Sequence, residues 1–367
     1  MDIIKATKKD MPQIIKTINS AFAPIRDYDF DITKVQPKVY NSSVDRSGIH
    51  TFIKEQDKIA CVAGLLPGVV TIDNQEYKFS VLGSVATHPE FQGKGYFKAT
   101  VDNALKESQQ NGDIFCMLTG LRHRYNYFGF EKCGFRYYFE IDNNFCKYQK
   151  SLEGLDLVEY KDEMLDDIYQ LFLDKKPVID RLKDNFVNTL QTSYSQIYVY
   201  KLNNTIVGYV TFSYLKNRVN EIVTKTDLLP HCVKLLFEKF NQNQITIVVN
   251  PFDKETVNCL DEFCENKIAT EQIHFKVFDM VKFLQMVFSL NKRVKNLTNY
   301  KAVFKVDGET ISINIVDNNI DIKHTNDIPD KQFTQKQFLR YMFSLSSLYE
   351  CNDILPLFLD FSYADLF

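Results

Sequence analysis

The chain has no tryptophan, although phenylalanine (30) and tyrosine (20) are plentiful; we read that absence as compositional bias. Other absences exclude more. None of the eight cysteines stands in a Cys-x-x-Cys pair, so neither a zinc ribbon nor a redox dithiol is expected, and no metal. Several lie inside apolar periodic segments and read as small buried hydrophobes, which suits a reducing cytoplasm. No apolar run approaches the roughly 18 residues that a membrane span needs. Met1-Asp2-Ile3-Ile4-Lys5 enters a strand directly, with no leader pattern. The basic residues form no run of five or six, and a net charge of −3 gives no footprint for nucleic acid or an anionic membrane.

What is present is a length of 367 residues, 45% of them hydrophobic, which predicts two or three domains with real cores. The most informative stretch is residues 81–97. An apolar strand, Val81 to Thr87, runs into His88-Pro89. A tight turn with two glycines follows, Gln92-Gly93-Lys94-Gly95, and a helix begins at Tyr96. Apolar residues at Phe97, Val101, Ala104 and Leu105 share one helical face, and Asn111-Gly112 closes the helix. The next strand is residues 114–119. Glycines let a backbone come close to an anion, and amides at a helix N-terminus bind phosphate. A cofactor bearing a pyrophosphate is therefore expected. The turn is not a Walker loop, since Gly follows Gly-Lys, and it is not the Gly-x-Gly-x-x-Gly fingerprint, since Lys98 stands third after Gly95.

Gln92-x-x-Gly95-x-Phe97 resembles motif A of the GCN5-related N-acetyltransferases (GNAT), whose pattern is Gln/Arg-x-x-Gly-x-Gly/Ala. Phe97 departs from it where a small residue is expected. Tyr125-Asn126-Tyr127-Phe128-Gly129-Phe130 is similar to the Tyr-x-x-Leu/Phe-Gly-Phe box that closes the core of this family. The whole chain further resembles the Eis-like (enhanced intracellular survival) branch. That resemblance implies a mixed α/β fold with two tandem GNAT-type units and a small sterol-carrier-like α+β domain. The expected divisions are 1–148 (catalytic), 155–279 (degenerate) and 280–367. Val219–Val223 and residues 275–279 are less specific marks of the same branch.

The resemblance also implies chemistry. Acetyl-CoA would be the co-substrate. Its pyrophosphate would lie on backbone amides of Gly93, Lys94, Gly95, Tyr96, Phe97 and Lys98, with Gln92 adding contacts. Its pantetheine arm would pair beside Val85, Ala86 and Thr87, with Gly120 and Leu121 as the other wall. Tyr125 would be the general acid, a phenol of pKa about 10 being protonated at neutral pH. The base would be the α-carboxylate of Phe367. The acceptor would be a primary amine, aminoglycoside- or lysine-like, attacking directly in a ternary complex. A homo-oligomer is expected by analogy. Alternatives are a longer acyl-CoA donor, or a non-catalytic protein that binds CoA or lipid.

Other residues invite roles. His88 is expected to be structural, and His123 has no carboxylate partner visible in sequence. Asp27, Asp29 and Asp31 are either a cation-binding vestibule or a solvated loop within an irregular 23–49. The remaining pattern reads as a helix over 9–22, strands at 2–6, 50–55, 58–70, 77–87 and 135–145, a linker over 147–154, and a hairpin turning at Asn203-Asn204. The strand Glu221–Thr224 would be the counterpart of Val85–Thr87. The turn after it, Lys225-Thr226-Asp227-Leu228-Leu229-Pro230, has no glycine and cannot approach a pyrophosphate closely. The second unit is therefore expected not to bind the cofactor. Residues 281–324 read as a helix and three short strands, and Thr334–Phe343 as a helix.

Overall fold

The computed structural model describes all residues except Met1, Ser42, Ser43, Lys176, Pro177, Thr298 and 351–353, and only the backbone of Tyr349, Glu350 and Tyr363. The fold is mixed α/β with three sheets. Strands and the longer helices are numbered in chain order.

The first sheet has the order β1-β2-β3-β4-β5-β14-β6. Its members are β1 (Ile3–Lys5), β2 (His50–Glu55), β3 (Lys58–Ile72), β4 (Gln75–Thr87), β5 (Phe115–Thr119), β6 (Glu131–Lys132) and β14 (Ile273–Val277). Helix α1 (Met11–Phe22) starts with Pro12 in its first turn, where a missing N–H costs nothing. Helix α2 (Tyr96–Gln110) joins β4 to β5 and buries Val101, Ala104 and Leu105 against Cys116 and Leu118 of β5. The β2–β3 and β3–β4 turns are the pairs Gln56-Asp57 and Asp73-Asn74, all four residues at positive φ. Paired left-handed residues match the twist of a two-residue hairpin, which makes Asn and Asp fitting there.

The second sheet runs β13-β7-β12-β11-β10-β9-β8. These are β7 (Arg136–Asp142), β8 (Leu155–Glu159), β9 (Ser195–Leu202), β10 (Thr205–Ser213), β11 (Arg218–Thr224), β12 (Gln244–Val249) and β13 (Asn266–Thr270). The helices in this part are α3 (Leu165–Asp174), α4 (Leu229–Phe240) and α5 (Lys254–Asp261). The third sheet, β17-β16-β15-β18, comprises β15 (Tyr300–Val306), β16 (Glu309–Val316), β17 (Asn319–His324) and β18 (Lys331–Phe333), flanked by α6 (Met280–Lys292) and α7 (Gln335–Phe343). One core joins the face of the first sheet (Phe79, Phe115, Phe275) to α6, the third sheet and the tail residues Leu357, Phe361 and Phe367. Among the described residues no helix is long and apolar enough to cross a membrane.

The sheets do not follow a single cut in the sequence. The strand over 136–142 lies within the first division, 1–148, yet it pairs with β12 and β13 of the second sheet. In return β14, which lies within the second division, 155–279, stands between β5 and β6 of the first sheet. Residues 23–49 also hold more structure than expected. Short helical turns form at Ile32–Val35 and Pro37–Tyr40, the first capped by the Asp31 carboxylate and the second opened by Pro37.

Candidate active site

β4 and β5 are parallel and paired only from Phe79↔Phe115 to Val81↔Met117. Beyond Val81 the strands part, and β4 continues alone on that side to Thr87. The β3–β4 register slips between Val62↔Ala86 and Gly64↔Gly83, leaving Ser84 and Val85 opposite a single residue. This bulge puts Ser84 at a φ of 51°. A strand that has lost its neighbour presents free main-chain groups along one edge. Val85, Ala86 and Thr87 all lie on that open edge, with Gly120 and Leu121 at the end of β5 opposite.

The glycine-bearing turn stands at the mouth of the opening. The His88 ring Nδ1 accepts the Glu90 N–H at 3.3 Å, capping the short turn Pro89–Phe91; its position is that of a structural cap. Gly93 and Gly95 have φ of 80° and 77°, and a Cβ on either would point into open space. Only a residue without a Cβ takes this path without strain. Within α2 the first return bond is Ala99 N–H to Gly95 carbonyl, 3.2 Å, so the amides of Tyr96, Phe97 and Lys98 have no acceptor in the helix. They face a groove of ≈ 440 Å³ lined by Thr87, residues 91–98, Arg124, Tyr127 and Phe128. Backbone donors at a helix N-terminus suit a diphosphate, so the residues present fit the pyrophosphate of a CoA. Lys94 is ion-paired with Glu55 at 2.6 Å, which Tyr96 also hydrogen-bonds; that pairing raises Lys94 and lowers Glu55. Gln92 is exposed. The Phe97 ring turns inward, 5.9 Å from Tyr125 and 6.0 Å from Phe128, leaving the helix N-terminus clear.

Tyr125 ends a short helix after β5, and its ring lies over Gly120, where a Cβ would come within 2.5 Å of Cε2. Burial pushes its hydroxyl up to about 12, so it stays protonated across the neutral range. Tyr127, two residues on, is 70% exposed. The Tyr125 loop is anchored from below. Glu131 is fully buried and ion-paired with Arg122 and, at 3.0 Å, with Arg340 of α7.

The chain's end enters the same opening. Phe367 is 7% exposed. A Cβ on Gly83 would lie 2.5 Å from the Phe367 ring and 2.6 Å from its carboxyl carbon, and one on Gly64 would strike the ring too. These two glycines, paired across β3 and β4, make the recess that the terminus occupies. The Phe367 ring stands 6.3 Å from His50 and 6.4 Å from Tyr40. The Tyr40 hydroxyl donates to Ser84 Oγ at 2.6 Å, inside the bulge, and lies 2.9 Å from His50 Nε2. Burial lowers His50 to about 4, so its ring is neutral.

Three further groups fasten the tail. Lys38, buried, donates from Nζ to the carbonyls of Ala364 and Leu366, both at 2.6 Å. Burial lowers its ammonium to about 7 against the pull of Asp365. Arg181 ion-pairs with Asp365 at 2.7 Å and with Glu221 of β11 at 2.8 Å. Arg136 binds Asp360 at 2.7 Å. Sequence reasoning missed Lys38, Tyr40, His50, Ser84 and Arg181. None sits in a motif, and a buried lysine or arginine looks in sequence like any surface charge.

Cavities flank the tail on two sides. One, ≈ 270 Å³, is lined by Gln36, Gly120, Lys132, Ser193 and Leu366. The other, ≈ 430 Å³, is lined by Lys38, Leu66, Phe79, Val81, Leu182 and Asp365 among others. Asp27, Asp29 and Asp31 line neither. The Asp31 side chain caps Thr33 N–H and the Asp29 carbonyl accepts from Tyr194. His123 is exposed in the short helix that ends at Tyr125.

β11 and β12 of the second sheet repeat the opening. They pair only at Arg218↔Thr246 and Val219↔Ile247, and a register slip beside β10 leaves Asn220 unopposed. The turn that follows, residues 225–228, leads to α4 with Pro230 in its first turn.

Residues 2–133 match the family model described as acetyltransferase (GNAT) domain. No curated protein sequence matches. Among solved structures, a GCN5-related N-acetyltransferase from Anabaena variabilis superposes with a TM-score of 0.70 over 100% of both chains at 14% identity. One from Kribbella flavida gives 0.64 over 92% of this chain and 87% of that one at 11% identity. Eis1 from Mycobacterium abscessus gives 0.61 over 92% and 88% at 12% identity. Identities this low speak for fold alone, and the fold agrees along nearly the whole length. Residues 2–133 carry a GNAT acetyltransferase domain, within a chain folded like the GCN5-related N-acetyltransferases.

Proposed function

We propose that the protein is an N-acetyltransferase that moves the acetyl group of acetyl-CoA to a primary amine by direct attack in a ternary complex. The observation that carries this is convergence on one strand opening. The glycine turn, the free edge of β4, Tyr125 over Gly120 and Phe367 against Gly83 all meet there. The amides of residues 93–98 and the N-terminal end of α2 hold the pyrophosphate. The unpaired edge at Val85–Thr87, with Gly120 and Leu121 opposite, receives the pantetheine arm.

An amine of pKa about 10 arrives as ammonium. The Phe367 carboxylate accepts one of its protons as general base. The amine nitrogen bonds to the thioester carbon, and the Val85 N–H stabilises the oxygen as it gains charge. As the C–S bond breaks, Tyr125 gives its proton to the sulfur; the second amine proton restores it.

The larger cavity beside the tail sets Lys38, Arg46 and Arg181 against Glu76, Asp180 and Asp365. That balance suits a lysine-like amine better than a polycationic aminoglycoside. We assign 1–148 as the catalytic unit, 155–279 as a degenerate second unit and 280–367 as a sterol-carrier-like domain, with β7 and β14 exchanged between the first two. A cytoplasmic homo-oligomer is part of the same reading.

Thiol release from acetyl-CoA with a panel of amines tests the activity. Acetyl-CoA binding with no turnover on any amine would favour a non-catalytic CoA-binding protein. Faster release from longer acyl-CoAs would change the donor. Tyr125→Phe should lower kcat about 10²- to 10³-fold and leave the acetyl-CoA KM within about twofold. One residue added after Phe367, in a chain whose intact mass shows that it otherwise ends there, should abolish turnover and spare acetyl-CoA binding.

A further inference from the structure

The second unit's opening is occupied by the tail on its way to the first. Residues 360–367 run between the two. At the start, Arg136 holds Asp360, and the Asn250 side-chain amide donates to the Asp360 carbonyl at 3.3 Å. Next, Ser362 Oγ donates to Glu221 at 3.1 Å. Then Arg181 takes Asp365 in a two-pronged grip, 2.7 Å from Nε and 3.1 Å from a terminal nitrogen. Its other prongs grip Glu221 at 2.9 and 2.8 Å. Lys38 then holds the carbonyls on both sides of Asp365, and Phe367 drops against Gly83.

Arg181 is therefore bound on both sides by carboxylates, one fixed in a strand and one in the tail. Its side chain is 4% exposed. A planar guanidinium clamped in this way fixes distance and orientation together, which a flexible ammonium does not. Glu221 is itself fixed by the Tyr209 hydroxyl at 2.7 Å, so the grip is referenced to the second sheet. Asn220, next to Glu221, is the unopposed bulge residue of β11. The charged groups near Asp365 include the cations Arg181 and Lys38 and the carboxylates of Asp360 and, across Arg181, Glu221.

We propose that Arg181, set by Glu221 in the second sheet, is a positioning residue for acyl transfer. Through Asp365 it fixes where the Phe367 carboxylate stands in the first sheet's opening. The second unit, lacking a cofactor turn, serves as the clamp for the catalytic end of the chain. This rests on the reading that the Phe367 carboxylate takes the amine proton.

Asp365→Asn and Arg181→Lys in the full chain test it. Both keep the side chain's size and weaken the grip. Expected are a release of Phe367 by carboxypeptidase at least about 10-fold faster than in the parent, a kcat lower by about 10- to 100-fold, and an acetyl-CoA Kd within about twofold. Parent-like release with parent-like kcat overturns the proposal. So does a fall in kcat matched by equal weakening of acetyl-CoA binding and by a lower melting temperature, which is general loosening. The chain extended past Phe367 separates the two readings. Full activity there removes the carboxylate as base. Loss of activity there, with full activity in Asp365→Asn, removes only the clamp.

Discussion

In the first sheet β4 leaves β5 after Val81, and in the second β11 leaves β12 after Val219. Each opening has an extra residue on the longer strand beside it and a helix at its mouth. The first is entered through Gln92-Gly93-Lys94-Gly95, with two left-handed glycines and free helix amides beyond. The second is entered through Lys225-Thr226-Asp227-Leu228, with proline in the helix's first turn. Inside the first stand two small residues, Gly64 and Gly83, and the tip of the tail. Inside the second stand Glu221, Arg181 and Asp365, locked by charge around a cavity of ≈ 150 Å³. The same opening thus holds either an open groove or a buried ion-pair cluster. Removing one partner from such a cluster costs about 3–5 kcal/mol, so the second opening is committed to structure.

The sharpest way to break this contrast is to close the first recess. Gly83→Ala places a methyl 2.6 Å from the Phe367 carboxyl carbon, and the terminus must move. Turnover should fall at least about 100-fold, and acetyl-CoA binding by titration calorimetry should persist. Retained turnover would mean that the tail's seat is not part of the reaction. A smaller effect should come from Gly95→Ala. A Cβ there meets no atom, but a φ of 77° strains an alanine by about 1–2 kcal/mol. Acetyl-CoA affinity should drop about 5- to 30-fold at unchanged kcat, with a parent stoichiometry of one per chain. Two per chain would erase the distinction between the openings.

The mildest effect lies in His50, on the floor of the first recess. Its folded pKa of about 4 is below the ordinary 6.5. Between those values the unfolded chain holds the extra proton, so stability falls as pH drops from 6.5 to 4. The contribution is roughly 3–4 kcal/mol at most, at 1.36 kcal/mol per pKa unit. Thermal melts of His50→Gln should show a shallower acid decline than the parent; identical slopes would place the acid sensitivity elsewhere.

The local geometry at the mouth of the first opening was legible because it is contiguous. A strand, a two-glycine turn and a helix are contiguous in sequence, and the Tyr125 box follows within thirty-odd residues. The loss of glycine after Thr224 was legible for the same reason. The strand exchange was not. Alternation marks Arg136–Asp142 as a strand but says nothing of its partner, and β7 joins β12 across about 100 residues. The fastening of the tail was equally hidden. Lys38, Arg181 and Asp365 acquire meaning only when the fold takes them out of water together, and neither spacing nor composition records that.

The exchange of β7 and β14 has a consequence in time. A ribosome that has issued residues 2–133 has made all that the family model matches, but the first sheet is not yet whole. The strand that separates β5 from β6 is Ile273–Val277, and at 5–20 residues per second it follows roughly 7–30 s later. Until then the edge of β5 that faces away from β4 and the groove lies open. The two units are thus obliged to finish together, and a gene fragment encoding only the first would yield a sheet with a gap in it.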